Sequence, residues 1–370
     1  MGDIVSDNSI NKTLVQSSEQ VSETPVEKYR KIVASWLFIV ALFVVGMIVL
    51  GGLTRLTGSG LSMVEWKLLG MQPPATEMDW MDKFEKYKQF PEYKLENIGM
   101  TLEEFKVIFW FEYSHRMLGR TIGLIFALPA VFFFVKKAFP RSLYTRVLIL
   151  FVLGGLQGLV GWWMVKSGLV DRPDVSHYRL TTHLGLAVFL YIALLWTALT
   201  YSRGVSTTKP LPMYSKISGV LLVMAYGTLL SGGLVAGLHA GAQFNTFPLM
   251  AGQWIPQGLF IQEPWYINFT ENLMTVQFNH RYFAVTTATC ILFFAYSVCT
   301  QSINIMQRRA IYAMIAAVCL QISLGISTLL SVVWIPLASL HQLGAIVLIS
   351  SLVWVHHELW NPSSSDGINK

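Results

Sequence analysis

The chain has 370 residues, of which 53% are hydrophobic and only 13% are charged, and its formal net charge is +6. This composition is too apolar for an ordinary soluble globular domain, which excludes that class. It predicts an all-α polytopic membrane protein whose main partner is the lipid bilayer, and no feature of the sequence indicates a nucleic acid partner.

The predicted elements follow in chain order. Residues 1–31 are a polar segment, interpreted as a cytoplasmic tail, and residues 358–370 are a polar C-terminal tail. Between them lie eight apolar runs with few or no charges, each near the roughly 20 residues that cross a bilayer as a helix. These transmembrane helices are predicted at 32–54, 117–136, 147–165, 180–202, 217–238, 281–301, 310–333 and 340–357, with a long outer loop over 55–114 between the first two.

The lysines and arginines of the short connections gather on one side of the predicted bundle. They precede the first helix and follow the second, fourth and sixth, whereas residues 239–279 and 331–339 contain none. The positive-inside rule therefore predicts that 239–279 and 331–339 face the periplasm. Because the N-terminal segment lacks the features of a transit peptide, a bacterial inner membrane is favoured, with the mitochondrial inner membrane as the alternative.

An internal repeat organises the chain. The sequence Glu-Tyr-Ser-His-Arg at 112–116 corresponds to Gln-Phe-Asn-His-Arg at 277–281, and Gly-Gly-Leu occurs at 51–53 and again at 232–234. Since the landmarks come in the same order, we predict two pseudo-symmetric four-helix bundles. The first half covers 32–202 and the second 203–357.

Four histidines stand at the outer start of an apolar run, two in each half: His115, His183, His280 and His341. Ionisable residues in membrane helices are costly and indicate a functional site. Zinc and copper sites need three or four ligands, whereas haem iron needs only axial ones, because the porphyrin supplies four nitrogens. The pattern therefore predicts two bis-histidine haem sites. His177, His239, His356 and His357 do not share the repeated position and are not expected to be ligands.

The two halves differ at one titratable position. Glu112 precedes His115 by three residues, and its counterpart in the second half is Gln277. A carboxylate can accept a proton and an amide cannot, so we place chemistry in the first half and electron transfer in the second. The alternative is an interfacial carboxylate that pairs with Arg116.

Several outer-side cations could bind haem propionates or could simply reach the membrane surface. They are Arg55, Arg116, Lys166, Arg179 and Arg281.

Taken together, several motifs resemble one family. They are Gly51 to Ser62, the Glu-x-x-His-Arg at 112–116, Gly161 to Leu169, Tyr-Arg-Leu at 178–180 before His183, and Val276 to Arg281. In this order they are similar to haem A synthase of the mitochondrial and proteobacterial type, over residues 30–357. Other branches of that family carry cysteine pairs in the outer loops, whereas Cys290, Cys299 and Cys319 lie in or at the ends of predicted helices.

The resemblance implies an enzyme that oxidises the C8 methyl of haem O to a formyl group, giving haem A for cytochrome oxidase. It implies two successive hydroxylations, with Glu112 as the catalytic residue and substrate haem near His115 and His183. It also implies a resident haem b (haem B) ligated by His280 and His341, through which electrons leave. Haem O synthase as the source of substrate, an electron acceptor and a homo-oligomeric state are consistent with it but are not specified by the sequence.

Two other functions are compatible with two dihistidine sites. One is a dihaem b-type membrane electron carrier, although such proteins often place two ligands on one helix at opposite depths. The other is a haem transporter or chaperone. The difference between Glu112 and Gln277 favours the enzyme.

Overall fold

The computed structural model describes residues 24–66, 72–170, 173–202 and 211–360. The predicted tails therefore lie largely outside the described residues, as does the start of the second half at 203–210. Eight helices in the described part are long and apolar enough to cross a membrane. They are α1 (Pro25–Leu56), α2 (Leu102–Val135), α3 (Arg141–Gly168), α4 (His177–Ser202), α5 (Pro212–Gly237), α6 (Leu273–Cys299), α7 (Ile305–Leu330) and α8 (Ile335–Leu359).

The helices expose large apolar side chains on their outward faces. Leu42, Val223 and Phe293 are 69%, 70% and 73% exposed, respectively. A water-soluble surface would not carry such a pattern along every helix, whereas lipid solvates it. The prediction of an all-α protein with eight transmembrane helices is confirmed.

Several helices start earlier than hydropathy predicted. The first begins at Pro25, where Thr24 and Glu27 form a capping box, so residues 25–31 belong to α1 and not to the predicted tail. The second begins at Leu102, where Thr101 and Glu104 form another capping box, so the predicted outer loop over 55–114 ends at 101. A prediction from hydropathy begins each helix only after the last charged residues, whereas a helix with a capping box includes those residues.

The early start of α2 is stabilised by an outer apolar cluster. A short helix, Glu77–Tyr87, places Trp80 and Tyr87 against the first turns of α2. The ring of Trp80 lies 5.0 Å from that of Phe109, and the ring of Tyr87 lies 5.2 Å from that of Phe105. Buried aromatic pairs of this kind add to the free energy of burial, so the outer turns of α2 have a core of their own.

The helices pack in a repeated pattern. Within the first four, α1 contacts α2 and α4, and α3 contacts α4; within the last four, α5 contacts α6 and α8, and α7 contacts α8. Between the two sets, α4 contacts α5 and α8, and α1 contacts α8. Helices α1, α4, α5 and α8 therefore make the contacts between the two sets, and one apolar core runs through both.

The outer segment also contains a buried carboxyl group. Glu92 is 5% exposed and accepts a hydrogen bond of 2.9 Å from the hydroxyl of Tyr87. Burial, together with the nearby carboxylates of Glu112, Glu96 and Asp174, raises the pKa of Glu92 to about 8.

This raised pKa predicts a specific pH dependence of stability. Between the ordinary carboxyl pKa and about 8, the folded protein holds a proton that the unfolded chain has lost, so stability falls as the pH rises through that window. Glu92→Gln removes this loss, which is on the order of a few kcal/mol. Thermal unfolding in detergent from pH 5 to 8 should therefore show a flatter pH profile for Glu92→Gln. Glu263→Gln, at an exposed carboxylate that does not contribute to the raised pKa of Glu92, serves as control. Equal profiles for Glu92→Gln and wild type would contradict the assignment.

Candidate functional site

The four predicted histidines all lie inside helices and not at their starts. His183, His280 and His341 follow the first residues of α4, α6 and α8 by six or seven positions, and His115 follows the start of α2 by thirteen. The expectation that they open the helices is therefore wrong, because each helix extends further outward than its apolar run. All four side chains are half-buried.

In the first half, the two predicted ligands lie on different helices, His115 on α2 and His183 on α4. Each ring rests on a glycine of the preceding helix. A Cβ atom built at Gly51 of α1 would lie 2.9 Å from Cε1 of His115, and one built at Gly161 of α3 would lie 2.9 Å from Cε1 of His183. Since real Cβ atoms essentially never approach so closely, any other residue at Gly51 or Gly161 would force the histidine ring to shift from its position. All four helices of this half thus contribute to one site.

The second half repeats this arrangement. His280 lies on α6 and His341 on α8, the equivalents of α2 and α4. A Cβ atom would lie 3.1 Å from Cε1 of His280 if built at Gly232 of α5, and 2.9 Å from Cε1 of His341 if built at Gly325 of α7. We call the contact between each histidine ring and its glycine the imidazole–glycine contact.

The ring nitrogens are only partly engaged by the protein. Nδ1 is buried without a hydrogen-bond partner in His115, His183 and His341, and Nδ1 of His280 lies 2.8 Å from the hydroxyl of Ser231. Among the described residues no three His, Cys, Asp or Glu side chains are grouped so that they could hold a metal ion. Two imidazoles per site, with unpartnered nitrogens and glycines that make room for the rings, fit a haem, which needs only axial ligands.

Two glutamines near these sites escaped the sequence analysis. Gln157 on α3 donates a 3.0 Å hydrogen bond to the carbonyl of His183, and its Nε2 lies 3.5 Å from Nε2 of that ring. Gln321 on α7 lies against Gly344, one turn after His341. Both glutamines precede the contact glycine of their own helix by four residues, and both have a buried Oε1 atom without a partner. The repeated Gln-x-x-x-Gly could have identified them.

Glu112 is 2% exposed and is held on both oxygens. Its Oε1 pairs with Arg116 at 2.5 Å, while its Oε2 accepts hydrogen bonds of 2.7 Å from the Ser62 hydroxyl and the Met63 amide. The ion pair with Arg116 that the sequence left as an alternative is therefore present. It places an anionic group one helical turn before His115 and fastens the loop that follows α1 to α2.

The arginines after His115 and His280 hold the outer loops in equivalent ways. Arg116 donates hydrogen bonds of 2.8 Å to the carbonyls of Met63 and Glu65, and Arg281 donates to those of Phe244 and Thr246. In the second half, Gln277 also donates to the Phe244 carbonyl, at 3.2 Å. Each arginine therefore binds two carbonyls two residues apart, and only the first half adds a carboxylate.

The other predicted cations also contact protein groups. Arg55 donates to the Ala236 carbonyl at 3.0 Å and lies 2.5 Å from Nε2 of His239, so it bridges to the second half. Arg179 donates to the Trp163 carbonyl at 2.7 Å, and Lys166 lies over the ring of Trp162 at 5.3 Å. These contacts place the cations at the outer ends of the helices. A haem propionate would have to replace these contacts or bind the same cations beside them.

The remaining histidines have local partners, and the three cysteines are free. His356 and His357 contact the hydroxyls of Ser218 and Thr200. The other two pair with carboxylates: His239 lies 3.3 Å from Asp174, and His177 lies 3.5 Å from Glu271. None of these four is brought to either dihistidine site by the contacts described.

Comparison with known proteins gives a consistent result. Residues 34–353 match the family described as cytochrome oxidase assembly protein, COX15-CtaA. The chain is 49% identical over 334 residues to "Heme A synthase" of Nitrosospira multiformis, covering 89% of this chain and 94% of the relative. It is 42% identical over 366 residues to "Heme A synthase COX15" of Bos taurus, covering 95% and 88%, respectively. By this match and these identities, the chain belongs to the COX15-CtaA family of cytochrome oxidase assembly proteins.

Proposed function

We propose that this protein is a haem A synthase, which oxidises the C8 methyl group of haem O to the formyl group of haem A. The observation that carries the proposal is the pair of equivalent dihistidine sites, of which only one has a carboxylate beside it. Two histidines on facing helices suit a haem, and the lone Glu112 distinguishes a site for chemistry from a site for electron transfer. The names of the relatives support the same activity.

The first-half site is proposed to bind substrate haem O through His115 and His183. In each of two successive hydroxylations a C–H bond of the methyl group is replaced by a bond to oxygen from water, and two electrons and two protons are released. The electrons leave through the second-half site, and the resulting geminal diol loses water to form the aldehyde. Removing hydrogen from carbon requires a group that accepts protons and an electrostatic environment that tolerates positive charge. Glu112 is buried one turn before His115 and supplies a fixed negative charge there.

Glu112 can accept a proton only if a hydrogen bond to one of its carboxylate oxygens breaks. Both of its oxygens accept hydrogen bonds, from Arg116 on one side and from Ser62 and Met63 on the other. We propose that the loop carrying Ser62 and Met63 shifts when substrate binds and exposes Oε2. Arg116 would remain on Oε1 and keep the carboxylate in place.

The second-half site is proposed to hold haem b through His280 and His341 and to carry electrons away from the substrate. Haem b supplies the redox chemistry when it is bound, while the protein positions the two imidazole ligands. The cations Arg55, Arg116, Lys166, Arg179 and Arg281 are proposed to bind propionates by exchanging their present carbonyl or ring contacts.

The protein is a multi-pass membrane protein, and we propose that both haem sites face away from the cytoplasm. The loops over 239–279 and 331–339 lack lysine and arginine, which supports this orientation. A bacterial inner membrane is the proposed location. Delivery of haem O by haem O synthase and assembly into a homo-oligomer are further proposals that follow from the family.

The catalytic role of Glu112 predicts that its replacement stops haem A formation but leaves haem binding intact. Glu112→Gln retains the hydrogen-bonding shape but removes the charge and the proton acceptor. In cells that supply haem O, the purified variant should retain b-type haem and haem O, while haem A falls by at least about 100-fold, a usual contribution of a general acid or base. Extraction and chromatography of the bound haems measures this.

The matched control is Gln277→Glu, which places a carboxylate beside Arg281 in the second half and should leave haem A formation intact. Normal haem A production by Glu112→Gln would contradict the catalytic role. If wild-type protein carried haem B alone, without haem O or haem A, the electron-carrier function would be favoured.

The imidazole–glycine contact predicts that a substitution at Gly51 impairs the first-half site and leaves the second-half site intact. Gly51→Ala should displace the ring of His115 and lower haem A formation by about tenfold or more, since each 1.4 kcal/mol lost in binding is a factor of ten. The amount of haem b at the second site should stay unchanged. Gly46→Ala, on the same helix with no atom within 4 Å of the added Cβ, is the control. Equal haem A production by the two variants would show that the contact is not needed.

A further inference from the structure

The glycine pairs Gly51-Gly52 on α1 and Gly232-Gly233 on α5 each contact side chains from both halves. On α1, Gly51 contacts the ring of His115 in its own half, while Gly52 contacts the side chain of Gln342 on α8. Gln342 directly follows His341 in the sequence. A short path therefore runs from the His115 ring through two adjacent glycines and one side chain to the residue beside His341.

The contact between Gln342 and α1 is unusually close. A Cβ atom at Gly52 would overlap the amide oxygen of Gln342 and lie 2.6 Å from its Cδ atom. The amide nitrogen of Gln342 donates a 2.9 Å hydrogen bond to the carbonyl of Ile48. That carbonyl lies one turn before Gly52 and has a second lone pair for this bond. The side chain is therefore fixed against α1 by both shape and hydrogen bonding.

The equivalent contact in the other direction has no hydrogen bond at its glycine pair. Gly232 on α5 contacts the ring of His280, and Gly233 faces Thr181 and Leu184 on α4. Leu184 follows His183 as Gln342 follows His341, and its Cδ2 atom would lie 3.5 Å from a Cβ atom at Gly233. The Thr181 hydroxyl would lie closer, at 3.1 Å, but it has no hydrogen-bond partner, so neither side chain bonds α5 as Gln342 bonds α1. A hydrogen bond in an apolar interior holds two helices together more specifically than van der Waals contact alone.

We propose that Gln342 is a positioning residue that couples the two sites, so that occupancy of the His115 site changes the properties of the haem held by His341. This inference rests on the proposed haem sites. When the ring of His115 moves, the Gly51–Gly52 segment of α1 moves with it, and Gln342 transmits the displacement to α8 and His341. The path through α4 and α5 also has a hydrogen bond, from the Tyr226 hydroxyl to the Gly185 carbonyl at 3.0 Å, but this bond involves neither Gly233 nor the residue after His183, so it couples the two sites less directly.

The test uses the full-length, haem-loaded protein in detergent and measures the reduction potential and electron paramagnetic resonance spectrum of the second-site haem. The wild type and each variant named below are measured with and without the additional substitution His115→Ala. In the wild type, His115→Ala should change the ratio of reduced to oxidised second-site haem at a fixed potential by about fivefold or more, a usual size of coupling between sites. In Gln342→Leu, which copies the leucine of the other path, the change should fall below about twofold.

Leu184→Met is the matched control, and the response to His115→Ala should persist in it. Should Gln342→Leu fail to retain haem, Gly52→Ala provides the same test, because its methyl group must displace the Gln342 amide. An equal response in wild type and in the Gln342→Leu or Gly52→Ala background would overturn the proposal, as would a wild type that does not respond. Absence of haem from the wild type would instead refute the proposed function.

Discussion

The structure depends on one steric constraint, the approach of a histidine ring to the backbone of a neighbouring helix. At Gly51, Gly161 and Gly325 an added Cβ atom would force the ring to move, and at Gly232 it would make a tight contact with it. Because one glycine lies on every helix that precedes a histidine helix, all eight helices must pack in a fixed order for both sites to form. The helix contacts follow this order, with α1 against α2, α3 against α4, α5 against α6 and α7 against α8.

Equivalent packing does not make the two halves chemically equal. Arg116 and Arg281 hold their outer loops through the same pairs of carbonyl contacts, yet only the first half inserts Glu112 between arginine and loop. Across the contacts between the two halves, the second half contributes Gln342 where the first contributes Leu184. Both differences concern single side chains in a shared frame. Under the proposed function, these few differences separate a site for chemistry from a site for electron transfer on one duplicated scaffold.

The sequence predicted the features that repeat or that lipid dictates. Eight apolar runs gave the spans, and the repeated landmarks gave the four histidines and the contrast between Glu112 and Gln277. Hydropathy could not give the start of α2 at Leu102, since charged Glu103 and Glu104 conceal a face that Phe105 buries. It also could not pair Gln342 with Ile48, because that contact joins residues 294 positions apart. Gln157 and Gln321 were within reach of the repeat but are not ionisable, so they attracted no attention.

The central claim is that the four histidines form two separate haem sites, with the resident haem in the second half. The most direct measurement is the optical and electron paramagnetic resonance spectrum of purified protein, with haem quantified per chain, for each single alanine variant at His115, His183, His280 and His341. The account predicts that the low-spin b-type signal is lost in the His280 and His341 variants and retained in the His115 and His183 variants. Retention of that signal in either second-half variant would contradict it.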